Sequence, residues 1–287
     1  MQVCETKNEI FALQTKFRRD DASIGLVPTM GYLHDGHMEL VRQARAACDR
    51  VIVSIFVNPT QFGENDDLSS YPQDIKKDIA MLEAAGVDAV FTPPRQEIYV
   101  ADNETVVETT RLSRILIGRI RPGHFRGVTT IVAKLFNICQ PDRAYFGEKD
   151  YQQLQVIRRM VQDMDIPVEI YGVPTVRESD GLAMSSRNVM LGKKDRRAAP
   201  VLSQALAAAE DACSGTNVTA QSLGKTIRSN LEAEPRAQIR SIDIRDAVTL
   251  APIRGKITRP AVALLAVSFG PVLLIDQRML TPKFVQT

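Results

Sequence analysis

The residues best suited to chemistry are two histidines that lie between a short apolar run and a helical pattern. His34 and His37 are separated only by Asp-Gly, so both imidazoles can donate hydrogen bonds to one phosphate group. Gly31 and Gly36 let the backbone approach a ligand closely or adopt a positive φ. Because the amino terminus of a helix favours negative charge, the turn over residues 27–37 predicts a phosphate-binding site. The alternative is an ordinary turn with two surface histidines.

Two more segments carry groups that suit phosphate. Met184–Asn188 offers two hydroxyls and a guanidinium, which hydrogen-bond phosphate oxygens well. Gly147–Gln153 is a strand end that turns into a helix, and its Lys149 is placed to neutralise charge that develops on a phosphate. Each segment also has an ordinary interpretation. The first is then a solvated turn, and the second is a surface lysine beside a helix-capping Asp150.

Amide groups and the third histidine complete the set of candidates. Asn58 and Gln61 follow a strand-like run, and an amide binds a hydroxyl or a carboxylate without adding charge. Gln153 lies one turn into the helix that follows this strand end and can hydrogen-bond a polar substrate. His124 lies within Arg121–Gly127, which is either an anion-binding loop or the turn at the start of a helix.

The elements that must position these groups alternate between strands and helices. Apolar runs predict strands at 23–27, 51–57, 87–91, 143–146 and 168–173, and helical spacing predicts helices at 38–48, 71–85, 128–139 and 154–164. This alternation is typical of an α/β fold, here a Rossmann-like, doubly wound parallel sheet over residues 1–177. Ligands bind such sheets at the carboxyl ends of the strands, where the candidate turns lie.

The pattern changes after residue 177 and indicates a second, smaller α+β domain over residues 178–287. Helices are predicted at 199–214 and 219–234, followed by strands at 239–244, 261–267 and 272–275. This domain carries Met184–Asn188 at its start, so we expect it to close over the active site. The two domains are expected to face each other across a cleft.

Composition excludes several classes of protein. In 287 residues, 36 Lys and Arg against 34 Asp and Glu leave a net charge of +2, whereas a dedicated nucleic-acid binder usually shows a large basic excess. The apolar run at 260–275 is too short for a membrane helix and is interrupted by Gly270-Pro271. The four cysteines are scattered, which argues against a zinc site or a disulfide framework. We therefore expect a cytoplasmic protein.

The histidine turn and Met184–Asn188 together resemble the HxGH and KMSKS-like signatures of the class I aminoacyl-tRNA synthetase and nucleotidyltransferase superfamily. With Asn58–Gly63, Arg121–Gly127 and Gly147–Gln153 between them, they resemble the pantothenate synthetase, or pantoate–β-alanine ligase, family. The resemblance implies ATP-dependent joining of (R)-pantoate and β-alanine through a pantoyl adenylate, with release of AMP and pyrophosphate. It also implies Mg²⁺, held mainly by the ATP phosphates, and a homodimer.

The resemblance also assigns roles to residues of this chain. His37 is implied to be the catalytic proton donor, with His34, Lys149 and Ser185 as further catalytic groups. Gln61 would bind both pantoate and β-alanine, and Asn58, His124 and Gln153 would bind pantoate. The ATP contacts implied are Met30, Gly31, Tyr32, Leu33, His34, Asp35, Gly36, His37, Gly147, Glu148, Lys149, Asp150, Val176, Met184, Ser185, Ser186 and Arg187.

The chain departs from the family pattern at three positions, and two other functions stay open. Tyr32 replaces a small residue, Gln73 stands where Arg is common, and Ile117 stands where Glu often precedes Gly118. An adenylyltransferase of the same superfamily would share the histidine turn but would need no pocket for an amine substrate. A non-catalytic nucleotide sensor would keep the phosphate turns and form no AMP.

Overall fold

A computed structural model describes residues 1–63, 68–215 and 217–282. These residues form two compact units. The first unit comprises residues 1–148 and 153–174, and the second comprises residues 149–152 and the chain from 175 onward.

The first unit is built on a six-stranded parallel sheet. Its strands are β1 (Gln2–Cys4), β2 (Ile24–Thr29), β3 (Arg50–Ile55), β4 (Ala89–Phe91), β5 (Arg143–Gly147) and β6 (Glu169–Val173). They are ordered β1-β4-β3-β2-β5-β6, and every neighbouring pair is parallel. The order of the strands reverses between β2 and β5, which is the topological switch point where ligands bind in such sheets.

Helices cover both faces of this sheet. They are α1 (Lys7–Arg19), α2 (Asp35–Ala47), α3 (Ile75–Ala84), α4 (Arg95–Ile98), α5 (Ile117–Ile120), α6 (His124–Cys139) and α7 (Tyr151–Asp163). Short 3-10 helices lie at Pro59–Gln61, Leu68–Ser70, Leu112–Arg114 and Glu148–Asp150. Leu26 and Ile52 pack with α1, α6 and α7, whereas Val27 and Val53 pack with α2 and α3. Successive strand residues therefore feed two separate cores, as the predicted doubly wound fold requires.

The second unit combines helices with a three-stranded antiparallel sheet. Its elements are α8 (Lys193–Ala198), α9 (Val201–Cys213), α10 (Ala220–Glu232), β7 (Gln238–Asp246), β8 (Ala261–Phe269) and β9 (Val272–Leu280). Leu202 and Ile227 of the two long helices share one buried core with Leu265 of β8. The predicted α+β class is confirmed for this part of the chain. In the described parts of both units, no helix is long and apolar enough to cross a membrane.

The first strand and the first long helix of the first unit were not predicted. The strand β1 pairs with β4 at the edge of the sheet, and α1 follows it. The sequence does carry a signal for α1, because Thr6 and Glu9 form a capping box and Ile10, Leu13 and Phe17 share the buried face. The polar residues around that face hid the pattern. Several predicted starts also shift, and the largest shifts among the helices of this unit are at α3, which begins at Ile75, and α6, which begins at His124.

Candidate active site

The turn that follows β2 is held by side chains from both of its sides. Thr29, the last residue of β2, accepts a hydrogen bond from the Gly31 N–H at 3.2 Å. Asp78 of α3 accepts from the N–H groups of Tyr32 and Leu33, at 2.8 and 2.7 Å, with one carboxylate oxygen each. Asp78 is only 1% exposed. Burial raises the pKa of its carboxyl above the ordinary value, and these two N–H groups oppose that rise.

Positive φ angles at two consecutive residues shape this turn. Gly31 has φ +83° and Tyr32 has φ +53°. A Cβ atom at Gly31 would lie 2.9 Å from Cγ2 of Ile55 and 3.0 Å from Oδ2 of Asp78. Of the two roles that the sequence offers for this glycine, close approach to a ligand or a positive φ, the structure shows the positive φ, and the missing side chain lets the turn fit against its own sheet and helix.

The two histidines cap α2 with the same ring atom. His34 is the N-cap residue, and its Nδ1 accepts a hydrogen bond from the Gly36 N–H at 3.1 Å. His37 Nδ1 accepts from the His34 N–H at 3.4 Å, and the two ring centroids are 4.0 Å apart. A neutral imidazole that accepts at Nδ1 carries its hydrogen on Nε2. Each ring is thereby set as an Nε2–H donor, which is the form that binds a phosphate oxygen.

Asn58 and Gln61 form a buried, internally bonded pair after β3. They are 1% and 8% exposed. The Asn58 amide nitrogen donates to Oε1 of Gln61 at 3.0 Å and to the Gly127 carbonyl at 3.1 Å. Its oxygen accepts from the hydroxyls of Tyr99 and Thr60, at 2.8 and 3.0 Å. Both ends of the Asn58 amide have hydrogen-bond partners, so its side chain is fixed. Through its bond to Oε1, it orients the side chain of Gln61.

Gln61 joins this pair to the histidine turn. Its side-chain nitrogen donates to Sδ of Met30 at 3.2 Å. Its backbone carbonyl lies 2.8 Å from Nδ1 of His124, which must carry a hydrogen because a carbonyl only accepts. The structure thus brings Met30, Gln61, Asn58 and His124 together. Arg121–Gly127 proves to be the turn at the start of α6, with Gly123 at φ +81° as its N-cap.

Helix α6 reaches this site only because one of its residues lacks a side chain. A Cβ atom at Gly127 would lie 2.4 Å from the Thr60 carbonyl oxygen and 2.6 Å from the Gln61 nitrogen. Both of these are backbone atoms that cannot rotate away. Gly127 is therefore required for the helix to support the turn that holds Gln61.

Residues 148–153 continue from β5, the strand beside β2, and carry Lys149. The Lys149 side chain is 18% exposed, and its Nζ lies 3.9 Å from Oδ2 of Asp150. In the second unit, Tyr151 is buried and donates its hydroxyl to the Ala247 carbonyl at 2.9 Å, which anchors residues 149–152 to that unit. Gln153 is half-buried in the first turn of α7.

The KMSKS-like segment of the second unit ends a small hairpin. The Met184 N–H donates to the Val176 carbonyl at 3.0 Å, and the intervening residues form an antiparallel bridge. Ser185 caps the following 3-10 helix, its Oγ accepting from the Arg187 N–H at 3.3 Å. The Asn188 side chain donates to Glu178 and to the Ala183 carbonyl. Each of these contacts lies within the second unit and gives the segment one defined backbone conformation.

Two supporting residues were missed by the sequence reasoning. Asp78 lies on an amphipathic helix, where an acidic residue is usually exposed, so no sequence pattern marks its buried position. Tyr99 follows α4, and burial raises the pKa of its hydroxyl, which donates to Asn58. Long-range contacts of this kind, 46 and 41 residues apart in the chain, leave no local spacing to find.

Comparison with known proteins assigns the chain to a family. The sequence model of the pantoate–β-alanine ligase family matches residues 2–279. The pantothenate synthetase of Bartonella henselae is 52% identical over 283 residues, which cover 99% of this chain and 100% of that protein.

Solved structures agree with the sequence comparison. The crystal structure of pantothenate synthetase from Thermus thermophilus superposes with a TM-score of 0.93 at 43% identity, covering 98% of this chain and 100% of that one. Pantoate–β-alanine ligase from Francisella tularensis, crystallised with β-γ ATP and β-alanine, has a TM-score of 0.80 at 34% identity, covering 97% of each chain. By sequence over nearly its full length and by fold, this chain belongs to the pantoate–β-alanine ligase family.

Proposed function

We propose that this ligase joins (R)-pantoate to β-alanine in two steps at the histidine turn. The pantoate carboxylate attacks the α-phosphorus of ATP, and pyrophosphate leaves. The amine of β-alanine then attacks the acyl carbon of pantoyl adenylate, and AMP leaves with the former carboxylate oxygen. The observation that carries the proposal is the pair of imidazoles that each accept a backbone N–H at Nδ1, which leaves Nε2 of each neutral ring as the donor.

The imidazoles act on charge that spreads over the phosphates in the first step. His34 and His37 donate from Nε2, and because their Nδ1 atoms are occupied by backbone N–H groups, the rings need little reorganisation. Donors fixed in advance stabilise a transition state more than donors that must turn toward it. His37 is the proposed proton donor, and His34 binds the phosphates beside it. The remaining members of residues 30–37 contribute to the nucleotide contacts.

Gln61 is the proposed contact to both acids. Its oxygen is fixed by Asn58, but its nitrogen donates to the sulfur of Met30, which is a weak acceptor. A hydroxyl or carboxylate oxygen of pantoate is a stronger acceptor and can replace that sulfur. Asn58, His124 and Gln153 are the further residues proposed for pantoate.

Residues of the second unit are proposed to act on the same ATP. Lys149 neutralises charge on the departing pyrophosphate, and Ser185 donates its hydroxyl to a phosphate oxygen. The further nucleotide contacts proposed are Asp150, Val176, Met184, Ser186 and Arg187 of this unit, together with Gly147 and Glu148 of the first unit. The proposal includes a domain boundary near residue 177 and closure of residues 178–287 during the reaction.

Magnesium is proposed to arrive with the nucleotide. In the described parts of the chain, no group of three or more His, Cys, Asp or Glu side chains could hold a metal ion. This fits Mg²⁺, which is usually bound through substrate phosphates and its own waters rather than by a protein cage. When bound, the ion neutralises phosphate charge.

A homodimer and a cytoplasmic location complete the proposal. The dimer is supported by the family resemblance, and sedimentation velocity at micromolar protein concentration would show twice the monomer mass. The location is supported by the four cysteines, which are all buried thiols outside any disulfide, as is usual in a reducing compartment.

The reaction is tested by leaving out one substrate at a time. With pyrophosphate, ATP and pantoate but no β-alanine, we expect exchange of label between pyrophosphate and ATP. With all three substrates, AMP and pantothenate should form in equal amounts. Nucleotide binding without exchange would favour a sensor, and exchange that needs a different, phosphorylated acceptor would favour an adenylyltransferase. A panel of other small hydroxy acids in place of pantoate defines the acid specificity.

A further inference from the structure

We propose that Asp78 is a positioning residue for the histidine turn. Its carboxylate fixes the backbone at Tyr32 and Leu33 and thereby sets the rings of His34 and His37. The inference rests on the proposed role of those histidines, although its structural part can be measured without the reaction.

The geometry of the turn shows why the position of Asp78 matters. Three consecutive N–H groups are bound by side chains, Gly31 by Thr29 and the next two by Asp78. The fourth, that of His34, is bound by the ring of His37. In each of these four contacts the acceptor is a side chain, so the backbone of the turn is sensitive to the position of each of those side chains. Asp78 holds the middle of the series.

A carboxylate suits this position better than any neutral side chain. Successive N–H groups in a segment with positive φ form a concave, anion-binding arrangement, and here the anion is the protein's own. The two oxygens of Asp78 take one N–H each. An asparagine of the same size has one acceptor oxygen, and its NH₂ group would face the other N–H.

Tyr32 adds a reason for the turn to relax when Asp78 is lost. A residue with a side chain is strained at φ +53°, and the hydrogen bond from its N–H to Asp78 opposes that strain. Without the carboxylate we expect Tyr32 to move toward a negative φ. His34, two residues further on, is the N-cap of α2 and would lose its ring position. A displacement of this kind slows the chemical step more than it weakens ground-state binding.

The test compares Asp78→Asn with Asp74→Ala. Asp74 is an exposed residue that caps the same helix by accepting from the Lys77 N–H, so its loss weakens α3 without touching the turn. We expect Asp78→Asn to lower kcat for pyrophosphate formation by about tenfold or more, with a smaller change in the KM for ATP. Asp74→Ala should stay within about twofold of the wild-type kcat at equal folded fraction.

Imidazole ¹⁵N spectra give a readout that is independent of activity. The chain has three histidines, so selective labelling gives few signals. In the wild type, His34 and His37 should carry hydrogen on Nε2, and in Asp78→Asn their nitrogen shifts should move toward those of a mixture of tautomers. If the wild-type protein does not join pantoate to β-alanine but Asp78→Asn shifts the histidine signals, the proposed reaction is wrong and the positioning role of Asp78 is supported.

The inference is overturned if Asp78→Asn keeps wild-type spectra and kcat. It is also overturned if the kcat falls no further than in Asp74→Ala at the same folded fraction. Should Asp78→Asn fail to fold, Asp78→Glu replaces it, since glutamate keeps the charge but displaces the oxygens by one methylene. We expect that variant to fold and to lose several-fold in kcat, and wild-type kcat and spectra in Asp78→Glu would refute the role.

Discussion

Nη2 of Arg196 lies 2.6 Å from Oε2 of Glu178, and the other oxygen of Glu178 accepts from the Asn188 amide at 2.8 Å. Nη1 of Arg196 donates to Asp180, also at 2.6 Å. One arginine on α8 therefore binds two carboxylates at the turn of the hairpin that leads into Ser185. Charge-assisted hydrogen bonds in a fork geometry are among the stronger polar contacts, so this arginine is suited to fix a loop.

Arg196→Ala should disturb the KMSKS-like segment, Met184–Asn188, without unfolding the second unit. Glu178 would lose its cation and Asn188 would lose a fixed acceptor, so Ser185 would be held less well. We expect kcat/KM for ATP to fall by about tenfold, as misplacement of a binding group commonly does. Steady-state kinetics with varied ATP measures this. Arg197, its exposed neighbour on α8, provides the control, and a matching loss in Arg197→Ala would contradict the prediction.

The same contact predicts a pH dependence of stability. The hydrogen bond from Arg196 lowers the pKa of the Asp180 carboxyl below its ordinary value. A carboxyl whose pKa is lower in the folded state stabilises the protein above its unfolded pKa, and that contribution disappears as the pH falls through the folded pKa. Asp180→Asn should therefore lower the melting temperature at pH 7. The difference should shrink below about pH 4. Thermal melts of the wild type and Asp180→Asn at several pH values test this. A difference in melting temperature that stayed constant with pH would contradict the prediction.

How far the sequence predicts this molecule depends on how local each signal is. The parallel sheet followed from apolar runs such as 51–57, and the histidine turn followed from spacing within eleven residues. The helix α1 was missed although Thr6 and Glu9 carry a local capping signal. Asp78 could not be found, because its role comes from residues 45 and 46 positions away, brought to it only when β2 and α3 pack. Local pattern predicts elements, and tertiary packing decides which polar side chains support the site.

His37→Ala should remove most of the adenylation step. The variant lacks the proposed donor and also loses the acceptor for the His34 N–H. We expect single-turnover pyrophosphate formation at saturating ATP to slow by about 10²–10⁴-fold, the usual effect of losing an acid–base group. Arg42→Ala, which loses only an exposed ion pair with Glu39 on the same helix, should retain wild-type rates. Wild-type rates in His37→Ala would refute its role.

Tyr99→Phe should affect the acid substrates and leave ATP unaffected. The change removes the hydroxyl that donates to Asn58, while Thr60 still donates to the same oxygen. Asn58 then orients Gln61 less firmly, so the KM for pantoate should rise several-fold. Because that oxygen keeps Thr60 as a donor, loss of the hydrogen bond should cost only about 0.5–1.5 kcal/mol of stability. Tyr171→Phe is the control, because that exposed hydroxyl donates to Glu169. Equal effects of both variants on KM for pantoate would contradict the assignment.

Two glycine-to-alanine changes in helices should have opposite effects. In α10, a Cβ at Gly224 would meet nothing within 4 Å, so Gly224→Ala should stabilise the protein by about 1 kcal/mol through helix propensity. In α6, a Cβ at Gly127 would lie 2.4 Å from the Thr60 carbonyl oxygen, and backbone must move to admit it. Gly127→Ala should therefore lower the melting temperature. It should also raise the KM for pantoate, because the Gln61 nitrogen lies 2.6 Å from the same position. Denaturant titration and substrate kinetics on both variants measure these effects.

A stable, fully active Gly127→Ala would show that α6 can withdraw without disturbing Gln61, and the close approach would then have no part in substrate binding.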